Sequence, residues 1–172
     1  AAAGEGPKVF AVTRVHSLLG RSLAEAFLRA GYRVAGFDTE RHLGLLPEIA
    51  RLAELGGDSF MGVPCDMSDE QSIHEAVESV RNSWAAIDVL AVNVGASAPA
   101  ASLEQATPEQ WSKVMDVGAR GAFLFAREAL PGMRERGRGQ VFMFATSANP
   151  AWNNMALTPA FPMLLQQMVT YL

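Results

Sequence analysis

The chain has 172 residues, 49% of them apolar, which is enough to build one domain with a substantial core. Fourteen Lys and Arg stand against 18 Asp and Glu, a net charge of −4, and the basic residues are scattered, which argues against a nucleic-acid backbone as partner. The single cysteine, Cys65, excludes an internal disulfide and fits a reducing compartment. The first residues, AAAGEGP, lack a charged stretch followed by an apolar one, and no apolar run reaches membrane-spanning length. A cytoplasmic protein is expected.

In chain order, KVFAVT predicts a buried strand and Leu18 to Ala30 a helix, with Leu19, Leu23, Ala26, Phe27 and Ala30 at helical spacing and Gly31 as its stop. YRVAGFD predicts a second strand. LPEIARLAELGG predicts a helix ending at Gly56-Gly57. A short third strand lies within SFMGVPCDMSD, and a helix opens after Ser68 with acids in its first turn, where they suit the helix dipole. DVLAVNVGA predicts a fourth strand. A long helix follows from Pro108 to about Arg136, then a fifth strand in GQVFMFATSA, and TPAFPMLLQQMVTYL reads as the start of another helix. Near-continuous apolar strands alternating with helices imply a parallel sheet covered on both faces, a Rossmann-like doubly wound α/β domain spanning residues 1–172.

Five landmarks in order give this chain a resemblance to the short-chain dehydrogenase/reductase family. TRVHSLLG stands at the family's TGxxxGxG loop and CDMSD at its adenine-contacting acid. VLAVNVG stands at the NNAG strand, TPEQWSKVMDVGARGAFL at the central helix, and GQVFMFATSA at the strand carrying the catalytic serine. The resemblance implies that fold, an NAD(P) cofactor and hydride transfer. It also implies a longer protein, since members add two strands and a helix beyond this point. The expectation is therefore a chain that continues, or a sheet truncated at its C-terminal side.

The site positions depart from the family pattern one by one. Thr13 and Gly20 remain in the loop, but Arg14 and Leu18 replace two glycines that let backbone approach a pyrophosphate. Asp38 stands where the family's acid holds the ribose and favours NAD, Asp66 at an adenine contact, and Asn93 in the NNAG strand. Each is equally an ordinary strand-end or bracing residue, so all five are expected as vestiges rather than a cofactor site. The family's Asn falls on Gly118, its Ser on Thr146 beside Ser147, and its Tyr and Lys near Pro159 and Met163. The only tyrosines are Tyr32 and Tyr171 and the only lysines Lys8 and Lys113, so no Y-x-x-x-K exists in this sequence.

Other chemistries find little. His16, His42 and His74 fall on separate elements without ligand spacing, so no metal is expected. Cys65 reads as a small buried residue. Trp84, Trp111 and Trp152 are isolated, without a basic surround for stacking bases. The central helix carries an apolar stripe, Trp111, Met115, Gly118, Ala122, Phe125 and Ala129, with Val117, Leu124 and Leu130 elsewhere on it, and the last segment repeats the pattern. In the resembling family these two helices form a four-helix bundle between subunits, where Gly118 and Gly121 would allow close approach. The expectation is thus a non-catalytic, cofactor-free structural subunit. Its partner is an active homologue carrying NAD, in a heterotetramer. An oxidoreductase in its own right with a rebuilt loop, and a small-molecule binding module, stand as alternatives.

Overall fold

The computed structural model describes residues 6–94 and 103–144. Five parallel strands form one sheet in the order β3-β2-β1-β4-β5: β1 Val9–Thr13, β2 Arg33–Asp38, β3 Phe60–Pro64, β4 Val89–Asn93 and β5 Gln140–Phe144. Chain order reverses beside β1, since β2 and β3 lie to one side of it and β4 and β5 to the other. The C-terminal ends of β1 and β4 therefore frame the switch point where open α/β sheets take their ligands. Among the described residues no helix is long and apolar enough to cross a membrane.

The two-residue period of the strands divides the core into two layers. Phe10, Val12 and Val34 point to one face, where α1 (Leu18–Arg29) and α3 (Pro47–Gly56) cover them with Leu23, Phe27, Ile49 and Leu52. Phe10 and Phe27 stack there with ring centroids 3.7 Å apart. Ala11, Ala35, Phe37 and Leu90 point to the other face, under Val77 of α4 (Glu70–Trp84) and Phe125 of α6 (Gly121–Glu135). Local chemistry sets the helix starts. The Ser17 hydroxyl caps α1, Asp69 caps α4, and Thr107 with Gln110 forms a capping box at α5 (Pro108–Met115). A short helix α2 (Glu40–Leu45), which the sequence pattern did not predict, precedes α3.

The largest departure lies in the predicted long helix. It is two helices, α5 and α6, joined by a π turn at Asp116–Arg120. The extra residue in that turn rotates the apolar face, so the predicted stripe is split. Trp111 and Met115 face solvent, whereas Ala122, Phe125 and Ala129 lie in the domain's own core. Gly121 serves that core as well. A Cβ on it would sit 2.6 Å from the Met67 carbonyl oxygen, and one on Gly118 would sit 3.2 Å from Val94. Both glycines permit close approach within the domain. The expected terminal helix, with Met163 to Tyr171, and the positions Thr146, Ser147, Pro159 and Met163 lie outside the described residues.

Candidate functional site

The pairing of Thr13 with Phe37 in the parallel register places the turn after β1 directly beside the residue after Phe37, Asp38. Arg14 takes the left-handed conformation, φ 51°, at a position where a glycine would be unstrained. Val15 turns inward, fully buried, into the space left by Gly36, where a Cβ would meet its methyls at 2.9 Å. Gly20 cannot be replaced without movement: a Cβ would strike the Arg14 carbonyl oxygen and lie 2.9 Å from the Val15 Cα. The Leu18 side chain is 42% exposed, and the residue that plugs the turn is Val15.

Asp38 is buried, and both its oxygens are engaged. Oδ2 accepts from the His16 backbone N–H at 2.9 Å and pairs with His16 Nδ1 at 2.6 Å. Oδ1 accepts from the Thr39 N–H at 2.9 Å and pairs with His42 Nδ1 at 2.7 Å. Burial alone would raise its pKa; the side-chain and backbone hydrogen bonds from His16 and the bond from His42 outweigh it and hold the carboxyl below its ordinary value. Asp38 is thus an ionised carboxylate. Among the described residues the pairs at Asp38 are to His16 and His42. Arg14 feels Asp38 only as a nearby charge, and its own pKa is lowered by burial against that attraction.

The remaining sequence-derived positions split between two places. Thr13 and Asn93 join the ends of β1 and β4: Thr13 Oγ1 accepts from the Asn93 N–H at 2.9 Å and donates to its carbonyl at 3.3 Å. Asn93 Nδ2 then donates to Ser17 Oγ at 2.6 Å, and that hydroxyl accepts from the Gly20 N–H at 3.0 Å. Four positions, Thr13, Gly20, Asp38 and Asn93, therefore surround one turn. Asp66 stands apart in an Asx turn, its Oδ1 accepting from the Ser68 N–H and hydroxyl, which lower its pKa. Cys65 is buried in the core and its thiol pKa is pushed up to about 12 by burial, so it is no nucleophile.

Reasoning from sequence separated His16 from His42; the fold brings both onto Asp38, with ring centroids 4.0 Å apart. Part of this was readable, since Asp38 and His42 are four residues apart across a helix start. His16 joins only through strand register.

A parallel α/β sheet with an ionised acid after β2, a pinned glycine at the start of α1 and polar groups at the switch point defines a protein of the Rossmann-like class. The sequence model of a family described as enoyl-(acyl carrier protein) reductase matches residues 15–172. The 2-(R)-hydroxypropyl-CoM dehydrogenase of Xanthobacter autotrophicus is 34% identical over 145 residues, 83% of this chain and 57% of its own length. The D-threitol dehydrogenase of Mycolicibacterium smegmatis is 31% identical over 82% of this chain and 53% of its own. Among solved structures, L-sorbose reductase from Gluconobacter frateurii, complexed with NADPH and L-sorbose, is 27% identical with a TM-score of 0.71, covering 81% of this chain and 52% of that one. The 3-ketoacyl-(acyl-carrier-protein) reductase from Brucella melitensis, complexed with NADH, is 25% identical with a TM-score of 0.72, covering 92% of this chain and 70% of that one. The chain belongs to the short-chain dehydrogenase/reductase family. It spans little more than half the length of the curated relatives it matches. This kinship overturns the expectation that the chain is not an enzyme, because the matched relatives are dehydrogenases by name.

Proposed function

We propose that the chain is an NAD(P)-dependent oxidoreductase with a rebuilt phosphate turn, acting on a secondary alcohol or the matching ketone. The observation that carries this reading is Asp38, a buried, ionised acid at the end of β2 that faces the β1–α1 turn at the switch point. An acid there is chemically suited to accept both hydroxyls of a ribose. The relatives in complex with NADH and NADPH are consistent with such a ligand.

The residues fit a dinucleotide at one end and require a substitute at the other. Asp38, Asn93 and Thr13 suit the ribose end, once His16 and His42 release the carboxylate. At the phosphates Arg14 and Leu18 bar the close backbone approach that glycines allow, so the guanidinium of Arg14 takes the anion in their place. No Tyr-x-x-x-Lys pair exists in the sequence, so the proton is handled by other groups.

The outer side of α5 and α6, with Trp111, Met115, Phe123 and Leu130 exposed, supports assembly with a homologous, NAD-carrying short-chain dehydrogenase, as a heterotetramer. A hydroxyacyl thioester such as 2-[hydroxy(phenyl)methyl]succinyl-CoA, of anaerobic toluene degradation, is the proposed substrate type of that assembly.

Titrating the full chain with NADH and with NADPH, followed by nicotinamide fluorescence, tests the reading. Saturable binding weakened at least tenfold by Asp38→Asn, with NADH preferred, is expected. No binding of either nucleotide at millimolar concentration would sink it.

A further inference from the structure

The cluster around Asp38 has a second chemistry that the ribose reading does not use. Two imidazoles and one carboxylate converge from three segments: the β1–α1 turn, the end of β2 and helix α2. One donor atom from each of His16, Asp38 and His42 lies within 4.8 Å of the other two. Donors bound at the usual zinc distances in a tetrahedral site are spaced by roughly 3.3–3.6 Å. The 2.6 and 2.7 Å hydrogen bonds go to different oxygens of Asp38, so the pair at the oxygen that binds the ion opens by under about 1 Å while the other spacings, at most 4.8 Å, draw in by a similar amount.

Which parts are fixed and which can move favours that adjustment. The Asp38 side chain is 3% exposed and anchored by two backbone amides, from His16 and Thr39. The His16 and His42 side chains are 23% and 37% exposed, so they can shift and water can reach a fourth coordination position. The Thr39 hydroxyl caps α2 and accepts from the His42 N–H, which settles the start of the helix that presents this imidazole. A fixed acid whose oxygens also accept amide hydrogen bonds, beside two adjustable imidazoles, is the kind of support that orients metal ligands.

We propose that His16, Asp38 and His42 form a binding site for a divalent transition-metal ion of the zinc class. Each neutral imidazole binds through Nδ1 and carries its proton on Nε2, the carboxylate binds as the anion, and water completes the tetrahedron. Two nitrogens and one carboxylate oxygen select a borderline ion such as zinc over magnesium or calcium, which require oxygen-rich shells. The bound ion clips the turn after β1 to α2.

The test uses the full, tag-free chain at pH 7.5. Zinc is titrated by calorimetry, and cobalt is followed by its visible absorption, whose intensity distinguishes tetrahedral coordination. One ion per chain is expected, with a rise in Tm as zinc is added. Removing a hydrogen-bond partner of a metal ligand lowers affinity by about 10–100-fold, so removing a ligand in His16→Gln or His42→Gln should lower it at least as much. His74→Gln, which removes the third histidine, should leave binding unchanged. Circular dichroism of each variant checks that it is folded. The proposal is overturned if the folded wild type binds no stoichiometric zinc, or if it binds zinc that His16→Gln and His42→Gln do not weaken. Neither outcome depends on whether the chain turns over an alcohol.

Discussion

Strands β1 and β4 bury every residue they contain, whereas β5, paired to β4 along its full length, leaves Val141 and Met143 exposed. The difference is not one of sequence, since QVFMF is as apolar as VLAVN. It is one of cover. On the β1 side, α1 and α3 close one face while α4 and α6 close the other. At β5, and on the outer side of α5 and α6, large apolar residues find no such cover among the described residues. The first region is a finished core holding the Asp38 site, and the second is a surface suited to receive something.

The sharpest way to break that comparison uses two phenylalanines two residues apart. Phe125 is 0% exposed and packs on Phe37 at 5.0 Å, while Phe123 is 60% exposed. Phe125→Ala should cost about 3–5 kcal/mol in urea unfolding, the usual range for emptying a buried aromatic site. Phe123→Ala should stay within about 0.5 kcal/mol, as surface changes usually do. If the proposed assembly uses the outer side, Trp111→Lys with Phe123→Lys should lower the native mass seen by light scattering and leave the fold intact. Equal losses for Phe125→Ala and Phe123→Ala would show that the two sides of α6 are not different.

A smaller effect is expected at the turn that the finished core supports. Gly20→Ala forces a Cβ onto the Arg14 carbonyl, and overpacking of this kind costs about 1–3 kcal/mol. Thermal unfolding reads it directly. An unchanged Tm would mean that the turn is free to move, and that Arg14 does not owe its strained φ to this packing. Cys65 gives a readout without mutation. With its thiol pushed up to about 12 by burial, it should resist iodoacetamide at pH 8 in the folded chain and react readily in urea.

Much of the sheet was legible because each strand is a short apolar run and each helix keeps one apolar face. The site was half legible. Thr13, Gly20, Asp38 and Asn93 could be found one at a time, because each stands at a position of the family pattern that the sequence still matches. That His16 meets Asp38 could not be read, because it depends on Thr13 lying level with Phe37. The π turn was hidden for a related reason. A helical pattern in which one turn holds an extra residue still scores as apolar at helical spacing, and only packing shows that Trp111 and Phe125 face opposite ways.

The smallest effect sits at the seam between the two regions, where α4 meets α6. His74 Nδ1 and a Glu128 carboxylate oxygen lie 2.8 Å apart, both largely at the surface. The hydrogen bond to Glu128 raises the His74 pKa above its ordinary 6.5, and the bonds from His74 and then Arg127 lower that of Glu128 below its ordinary 4.5. The signs give opposite limits. A raised histidine pKa stabilises the fold fully below 6.5 and loses that contribution as pH rises through the higher folded value. A depressed carboxyl pKa stabilises it fully above 4.5 and loses that contribution as pH falls through the lower folded value. The pair should therefore contribute most between about 4.5 and 6.5 and less on either side, by an amount that salt screens. Subtracting the Tm of His74→Gln from that of the wild type at each pH should give a low plateau over this window, flattened in 1 M salt. A difference that keeps growing above pH 8 would contradict the assigned sign and leave the Glu70–Arg127 pair as the polar tie between α4 and α6.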